Sequence, residues 1–308
     1  MPKTFLARFF QYLKERFPPL GHGVMIVAFT FSAISYSRLS SGLDTFVDAQ
    51  KFIIAFINTF AFFFLLRVFD EHKDAEDDAR FRRELPVPRG LITLSELRKV
   101  ALIVVCTQLI VDSIYFPKML IPWALVMLWM SLMGKEFFVS DWLKKHQFWY
   151  VVSHMFIIPF VDVFASGFDW YLDDRSAPTG LMFFFGVSFM NGIVIEVGRK
   201  LKAQEDEREG VVTYSGLMGY RKATALWIVV LSATLGLASA ACYYAKYSLY
   251  NYAILIGFYL LGLFFAFRYM RQPERKPSKM MELISVVWTI VMYLTLGGIP
   301  MIIQILKG

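Results

Sequence analysis

Cysteine is almost missing from this chain. Cys106 and Cys242 are its two cysteines, both inside apolar runs and without any Cys-x-x-Cys pair. That excludes a disulfide-stapled scaffold, a zinc knuckle and a dithiol redox motif, and leaves both as small core residues. Charge is scarce too: 19% of residues are Asp, Glu, Lys or Arg, against roughly a quarter in soluble domains. A soluble enzyme and a disordered chain are thereby excluded, as is a fibrous repeat. No Ala-x-Ala-like cleavage site follows the first apolar run, Val24 to Tyr36, and more runs come after it. It reads as a retained helix, not as a signal peptide.

What the chain does have is apolar length. Hydrophobic residues make up 57% of its 308, with 31 Phe and 7 Trp. Spans of about 20 apolar residues cross a bilayer as helices. Nine candidates lie at 22–38, 50–69, 98–116, 119–137, 148–168, 179–198, 224–244, 250–270 and 282–304. The third and fourth are separated by only Phe116-Pro117-Lys118, where proline breaks a helix. The fold class is therefore an all-α polytopic membrane protein. Ahead of the spans, Phe5, Phe9, Leu13 and Phe17 recur at i+4 among Arg8, Lys14 and Arg16. Residues 1–20 read as an amphipathic helix for the membrane surface, stopped by Pro18-Pro19, and 21–308 as one transmembrane domain.

The net charge is +7, which in a soluble protein would suggest nucleic acid. Here it sorts by side. With the N-terminus inside, 26 of the 32 Lys and Arg residues fall in inside segments. The positive-inside rule then predicts a cytoplasmic N-terminus, an outside C-terminus and no nucleic-acid partner. The acids concentrate likewise: twelve of 25 lie between Asp70 and Glu84 or between Glu196 and Glu209. These two inside loops, about 67–97 and 196–222, follow even-numbered spans. They share an internal likeness. Leu94 to Val105 and Arg221 to Val230 both run from basic residues into an apolar helix, and Thr93-x-Ser95 and Thr213-x-Ser215 precede them. Thr93 with Glu96 has capping-box spacing. Two four-helix halves plus a ninth helix follow, and ligands of such proteins bind between the halves.

Asp70 and Asp74, four apart, share a helix face, and Asp78 repeats the spacing. Mg²⁺ favours one or two carboxylates plus substrate phosphate. Arg67, Lys73, Arg199, Lys200 and Lys202 are at hand to hold a diphosphate directly. The competing reading is a set of i,i+4 surface salt bridges.

At this point the sequence resembles the UbiA superfamily of intramembrane prenyltransferases. In that family the second span ends in Asn-Asp-x-x-Asp-x-x-x-Asp, followed by Arg-Pro-(Leu/Ile)-Pro-x-Gly. Asp70, Asp74 and the segment Pro86-Val87-Pro88-Arg89-Gly90 match. The second motif, Asp-x-x-Asp-x-x-Gly-Asp-x-x-x-Gly-x-x-Thr, is matched in its latter half by Asp206, Gly210 and Thr213. The resemblance implies Mg²⁺, a polyprenyl (di)phosphate donor, and a small aromatic or lipid acceptor within the bilayer.

Departures from the pattern fall on the ligands. Leu66-Arg67 replaces Asn-Asp, Arg199 and Lys202 replace the leading acids of the second motif, and Glu205 replaces a glycine. Of a Tyr-x-x-x-Lys after the fourth span, Lys135 is present but position 131 is Ser. Cations cannot hold a second Mg²⁺, because like charges repel. Three readings stand: one Mg²⁺ on Asp70 and Asp74 with cations replacing the second; displaced acids such as Glu196, Glu205 or Asp206 restoring it; or lost transferase chemistry. Asp70, Asp74, Asp78, Glu196 and Asp206 are the candidate metal ligands.

Polar residues at membrane depth are functional candidates. Asn58 and Asn191 could extend the site inward or join helices. His154 and Asp162 could position an acceptor or relay a proton, with a packed His–carbonyl contact as the alternative for His154. Asn58, Lys135, His154 and Asn191 are the chamber candidates. Asp112 is expected at the outer interface. The leading function is prenyl transfer. A terpene cyclase or other group transferase on the same fold, and a non-enzymatic transporter or lipid-binding protein, are the alternatives.

Overall fold

A computed structural model describes residues 4–208 and 210–307, so Glu209 of the second acidic loop lies outside the described residues. Its elements in chain order are α1 Phe5–Arg16, α2 Pro19–Ser40, α3 Ala49–Lys73, α4 Ala75–Phe81, α5 Leu94–Tyr115, α6 Leu120–Gly134, α7 Ser140–Lys145, α8 Gln147–Met155, α9 Ile157–Gly167, α10 Gly180–Arg199, α11 Tyr214–Met218, α12 Tyr220–Tyr244, α13 Leu249–Arg271, α14 Arg275–Tyr293 and α15 Ile299–Lys307. The described residues form no strand. A backbone in lipid must satisfy its own hydrogen bonds, and helices do so within one segment.

Eight helical segments among the described residues are long and apolar enough to cross a membrane. The expectation was nine. The difference is α5, a 22-residue helix that carries Glu96, Arg98, Lys99 and Asp112. The predicted break falls as expected: α5 ends at Tyr115, and a 3₁₀ turn over Pro117–Met119 leads into α6. The fifth span is two short helices, α8 and α9, meeting at Phe156. The last is interrupted by a π-helix, Leu294–Gly298.

The core lies among α2, α3, α9, α10, α12 and α14. α10 packs along α12, while α2 touches α3, α9, α10 and α14. Trp227 is fully buried and donates to the Val194 carbonyl (3.1 Å) and Ser285 Oγ (3.0 Å), tying α12 to α10 and α14. Tyr36 donates to Ala241 O (2.8 Å), tying α2 to α12. Gly297 is required where the π-helix crosses α2: a Cβ there would run into the Ser32 backbone. Outward faces of the long helices carry exposed Ile110, Ile114, Leu128, Leu260 and Phe264, as lipid contact demands.

Asp112 corrects the interfacial expectation. It is completely buried and accepts from Asn58 Nδ2 (2.9 Å), while Gln108 Nε2 donates to the Asn58 carbonyl (3.1 Å). This clamp joins α3 to α5.

The N-terminal helix is likewise more than a surface float. Tyr12 and Phe17 are buried against α3 and α5 in a satellite core with Phe64, Val68 and Leu97. Phe17 meets Phe60 and Phe64 edge-on. Leu6 and Phe10 remain exposed on its other side. Ion pairs fasten both ends: Arg8 to Glu96 (2.6 Å) and Arg16 to Glu71 (2.7 Å). Glu96 also completes the Thr93 capping box.

The Arg8 guanidinium, with Thr93 N–H, holds the Glu96 carboxyl down to about 2 from its usual 4.5. A lowered folded-state value means the clamp is fully present above about 4.5 and is lost as pH falls toward 2. We therefore expect α1 to become protease-sensitive across that window, measured by pepsin cleavage normalised to a free peptide. Arg8→Gln should leave α1 open already at the top of the window. Cleavage of α1 that does not respond to pH, or to that substitution, would show that the clamp does not hold it.

Candidate functional site

One end of the bundle gathers the charges that the sequence singles out. α3 runs past its apolar stretch and delivers Arg67, Asp70, Glu71 and Lys73 on its last two turns, then breaks at Asp74. Asp70 lies loosely among cations, 3.8 Å from Arg67 and 4.0 Å from Lys73, with Arg199 of α10 facing it. Asp74 makes no ion pair among the described residues and is half-buried. Asp70 and Asp74 thus keep oxygens for a ligand.

The other three candidate metal ligands do not. Asp78 sits beyond the break on α4, 2% exposed and paired with Arg82 (2.6 Å), where burial raises its carboxyl above the usual range. The helix does not continue through Asp74, so the second i,i+4 step leaves the shared face. Glu196 spends both oxygens on its own helix, Oε2 accepting from Arg199 (2.7 Å) and Oε1 from Lys200 (2.7 Å). Asp206 is held by Arg275 (2.7 Å), which keeps it below the carboxylate range, and Glu205 stands 3.5 Å from the same guanidinium. Among the described residues no three His, Cys, Asp or Glu side chains gather as a metal cage. The displaced acids expected to hold a second ion are thus each engaged by a cation: Glu196 by Arg199 and Lys200, and Glu205 and Asp206 by Arg275. The donor set fits one Mg²⁺ on Asp70 and Asp74, completed by phosphate oxygens, because Mg²⁺ takes few protein ligands.

The cations differ in the same way. Arg67, Lys73 and Arg199 surround Asp70 while each also holds a second partner, Glu71, Tyr150 and Glu196 respectively. Lys200 is taken by Glu196, and Lys202 lies 3.7 Å from Glu282 at the α14 side. The two loops are clasped over this end by Arg208–Glu84 (3.0 Å) and by the Phe81 ring packing on Gly210, whose φ of +75° and lack of Cβ allow the approach. Glu207 accepts from Thr213 (2.5 Å) and Ser215 (2.7 Å), so both loops do enter their next helix through a capped Thr-x-Ser.

Beside Asp70 stands a cluster that the sequence motifs do not mark. Lys73 donates to Tyr150 Oη (2.7 Å) and lies 3.7 Å from Glu136, which in turn is 3.5 Å from His154 Nε2. Burial raises the Glu136 carboxyl from its usual value. His154 Nδ1 bonds the Tyr150 carbonyl (2.8 Å), the packed His–carbonyl contact. Lys135 is corrected: it is exposed after α6, and its neighbour Glu136 enters the site instead. Three successive residues with positive φ, Glu136, Phe137 and Phe138, turn the chain that way. Asn58 is also corrected, since its amide is spent on Asp112. Asn191, by contrast, lines an apolar cavity beneath the charged end, with Phe29, Phe63 and Ile158 among its walls. Glu71, missed beside Asp70, is 1% exposed and joins Arg16 (2.7 Å) and Arg67 (3.3 Å). It fixes the end of α3 to α1.

Removing one member of a buried ion pair leaves the others uncompensated. Glu71→Ala should cost about 3 kcal/mol, the low end for such pairs because both arginines keep some solvent contact. Denaturant titration of the purified protein measures it. A change within error would show that Glu71 does not anchor this end.

Comparison with known proteins follows this geometry. A model of the UbiA prenyltransferase family matches residues 24–290. No curated protein matches the sequence. A solved structure described as Digeranylgeranylglyceryl phosphate synthase in membranes is similar over 95% of this chain and 99% of that one, at 15% identity and a TM-score of 0.63. That likeness shows the fold.

Proposed function

The chain belongs to the UbiA prenyltransferase family, and from that premise we propose that it transfers a prenyl group from a polyprenyl diphosphate to an apolar acceptor in the membrane. One observation carries the reading. A rim bearing Asp70, Asp74, Arg67, Lys73 and Arg199 lies at the mouth of the α3 and α10 ends, and an aromatic-walled cavity lies between α2, α3, α9, α10 and α14 beneath it. A diphosphate needs the first environment, and the second, about 70 Å³ in this structure, receives the first apolar atoms of a prenyl chain and would have to widen for the rest.

In this reading Arg67, Lys73 and Arg199 bind diphosphate oxygens and orient its C1 toward the cavity. A Mg²⁺ held by Asp70 and Asp74 would neutralise charge that develops on the leaving group. The C1–O bond breaks with its electron pair leaving on the diphosphate. The allylic cation is captured by the acceptor's nucleophile, which then loses a proton. Phe29 and Phe63 keep water from the cation and offer it their faces. Arg199 supplies positive charge where a second ion would otherwise sit.

The charged rim is the cytoplasmic side in this proposal. Support comes from the distribution of Lys and Arg, 26 of 32 of which fall in the segments assigned to this side. The positive-inside rule then puts the N-terminus inside and the C-terminus outside.

Purified protein in nanodiscs with Mg²⁺ and labelled prenyl diphosphates of several chain lengths should release pyrophosphate when acceptor is supplied. Asp70→Ala and Asp74→Ala should each lower that release by roughly 100-fold or more while keeping the thermal midpoint. Arg199→Asp should weaken donor binding most at low Mg²⁺. A wild-type protein that neither turns over nor binds any donor, with or without metal, would overturn the transferase reading.

A further inference from the structure

The guanidinium of Arg67 stands between two carboxylates of its own helix. From Arg67, Asp70 lies about 60° round α3 to one side and Glu71 about 40° to the other. Its Nη1 is 3.8 Å from Asp70, on the side of the rim, and its Nε is 3.3 Å from Glu71, on the side of α1. The motif that the chain resembles has an acid at this position, so the choice between two carboxylates arises because arginine replaced it.

The helix α1 settles that choice. Phe17, which ends α1, packs edge-on against Phe60 and Phe64. Phe60, Phe64 and Val68 form one i,i+4 row along α3, and Glu71 continues the same face three residues beyond Val68. Seating Phe17 therefore brings Arg16, the last residue of α1, onto Glu71 at 2.7 Å. Arg16 and Arg67 converge on one oxygen, Oε1, while Oε2 is buried without a hydrogen-bond partner. The Tyr12 hydroxyl, fully buried beside the same groups, has no partner either.

Glu71 is 1% exposed, whereas Arg67 is 21% exposed and reaches solvent. A carboxylate so far from water must be matched by a cation. While Arg16 supplies that charge, Arg67 meets Glu71 through Nε alone, without forming a hydrogen bond, and keeps Nη1 toward Asp70. Without Arg16, both oxygens of Glu71 are open to the paired contact that a guanidinium makes with a carboxylate. Arg67 is the cation at hand, and that contact would turn it away from the rim. We propose that Arg16 is a positioning residue for the donor: by neutralising Glu71 from α1 it frees Arg67 for the diphosphate, so that the docking of α1 sets the affinity of the rim. The proposal rests on the reading of Arg67 as a diphosphate ligand.

Calorimetric titration of inorganic pyrophosphate with Mg²⁺ into the full protein in nanodiscs tests it, each variant being measured below its own thermal midpoint. Arg16→Gln should weaken pyrophosphate binding about tenfold, the effect of one lost hydrogen bond between charged groups. Arg16→Lys should restore most of the affinity. Adding Glu71→Gln to Arg16→Gln should return it to near the wild-type value, since a neutral amide no longer draws Arg67 away. A change in long-range potential would be offset by that addition too, so a further comparison separates the causes. With Arg67→Gln and Glu71→Gln already in place, Arg16→Gln should have no effect. Wild-type affinity in Arg16→Gln would overturn the proposal, as would a similar loss that persists without Arg67. Pyrophosphate binding that follows the expected pattern in a protein that transfers no prenyl group would count against the transferase reading alone. Prenyl transfer with pyrophosphate binding indifferent to Arg16 would count against this inference alone. A wild type that binds no pyrophosphate would overturn both.

Discussion

A charge inside a low-dielectric helix bundle must meet an opposite charge or reach water, and this constraint decides the form of both ends of the molecule. Glu71 is buried because Arg16 and Arg67 converge on it, and that convergence docks α1. Asp169 is buried at the other end because Arg38 and Arg175 do the same there. Glu196 reaches the end of α10 already neutralised by its own helix. Against this pattern Asp70 stands out. Its nearest cations stay at 3.8 and 4.0 Å, too far for good hydrogen bonds. An acid left loosely held amid three cations is an arrangement suited to exchanging partners with an anion.

Much of the fold is legible in the chain because lipid is a single apolar solvent. Runs of apolar residues have to be helices, and Phe116-Pro117 has to break one. Depth within a run is legible too, but rotation is not. Asp112 lies near the end of its run, which suggests an interface, yet it faces α3 and meets Asn58, a residue 54 positions earlier. No local pattern encodes that pairing. The same limit hides Glu71: motif spacing draws attention to Asp70 and Asp74, while Glu71 lies about 100° further round the helix, toward α1. The π-helix at Leu294–Gly298 depends on how closely Gly297 approaches Ser32, a tertiary fact with no sequence period.

The site was legible in part for a related reason. Residues joined by helical spacing, Asp70 with Asp74, are where the spacing puts them. Residues joined across loops are not. Glu136 replaces Lys135 at the site because three successive residues turn with positive φ, a conformation that Glu and Phe rarely adopt and that their identities do not announce. Asp206 looked like a ligand by register, but Arg275, distant in sequence, holds it.

The replacement of acids by Arg199 and Lys202 has a consequence for the site as a whole. If both loops carried acids, their mutual repulsion would need metal to hold the two halves together. Here the second loop carries Arg199, Lys200, Lys202 and Arg208 among its own acids, so the two loops can attract without a ligand, as Arg199 attracts Asp70. That attraction is weak at long separation, and the fold does not depend on it. Glu71 with α1, the Glu84–Arg208 bridge and the Phe81–Gly210 contact already hold the loops in place. The charge on Asp70 is therefore surplus to structure, while that on Arg199 is shared with the buried Glu196. In the proposed reaction an incoming diphosphate would draw Arg199 and Lys73 to its oxygens and leave the two carboxylates free for one divalent ion. On that proposal cationic substitution keeps the reaction by replacing a dissociable charge with a covalently attached one at the same rim.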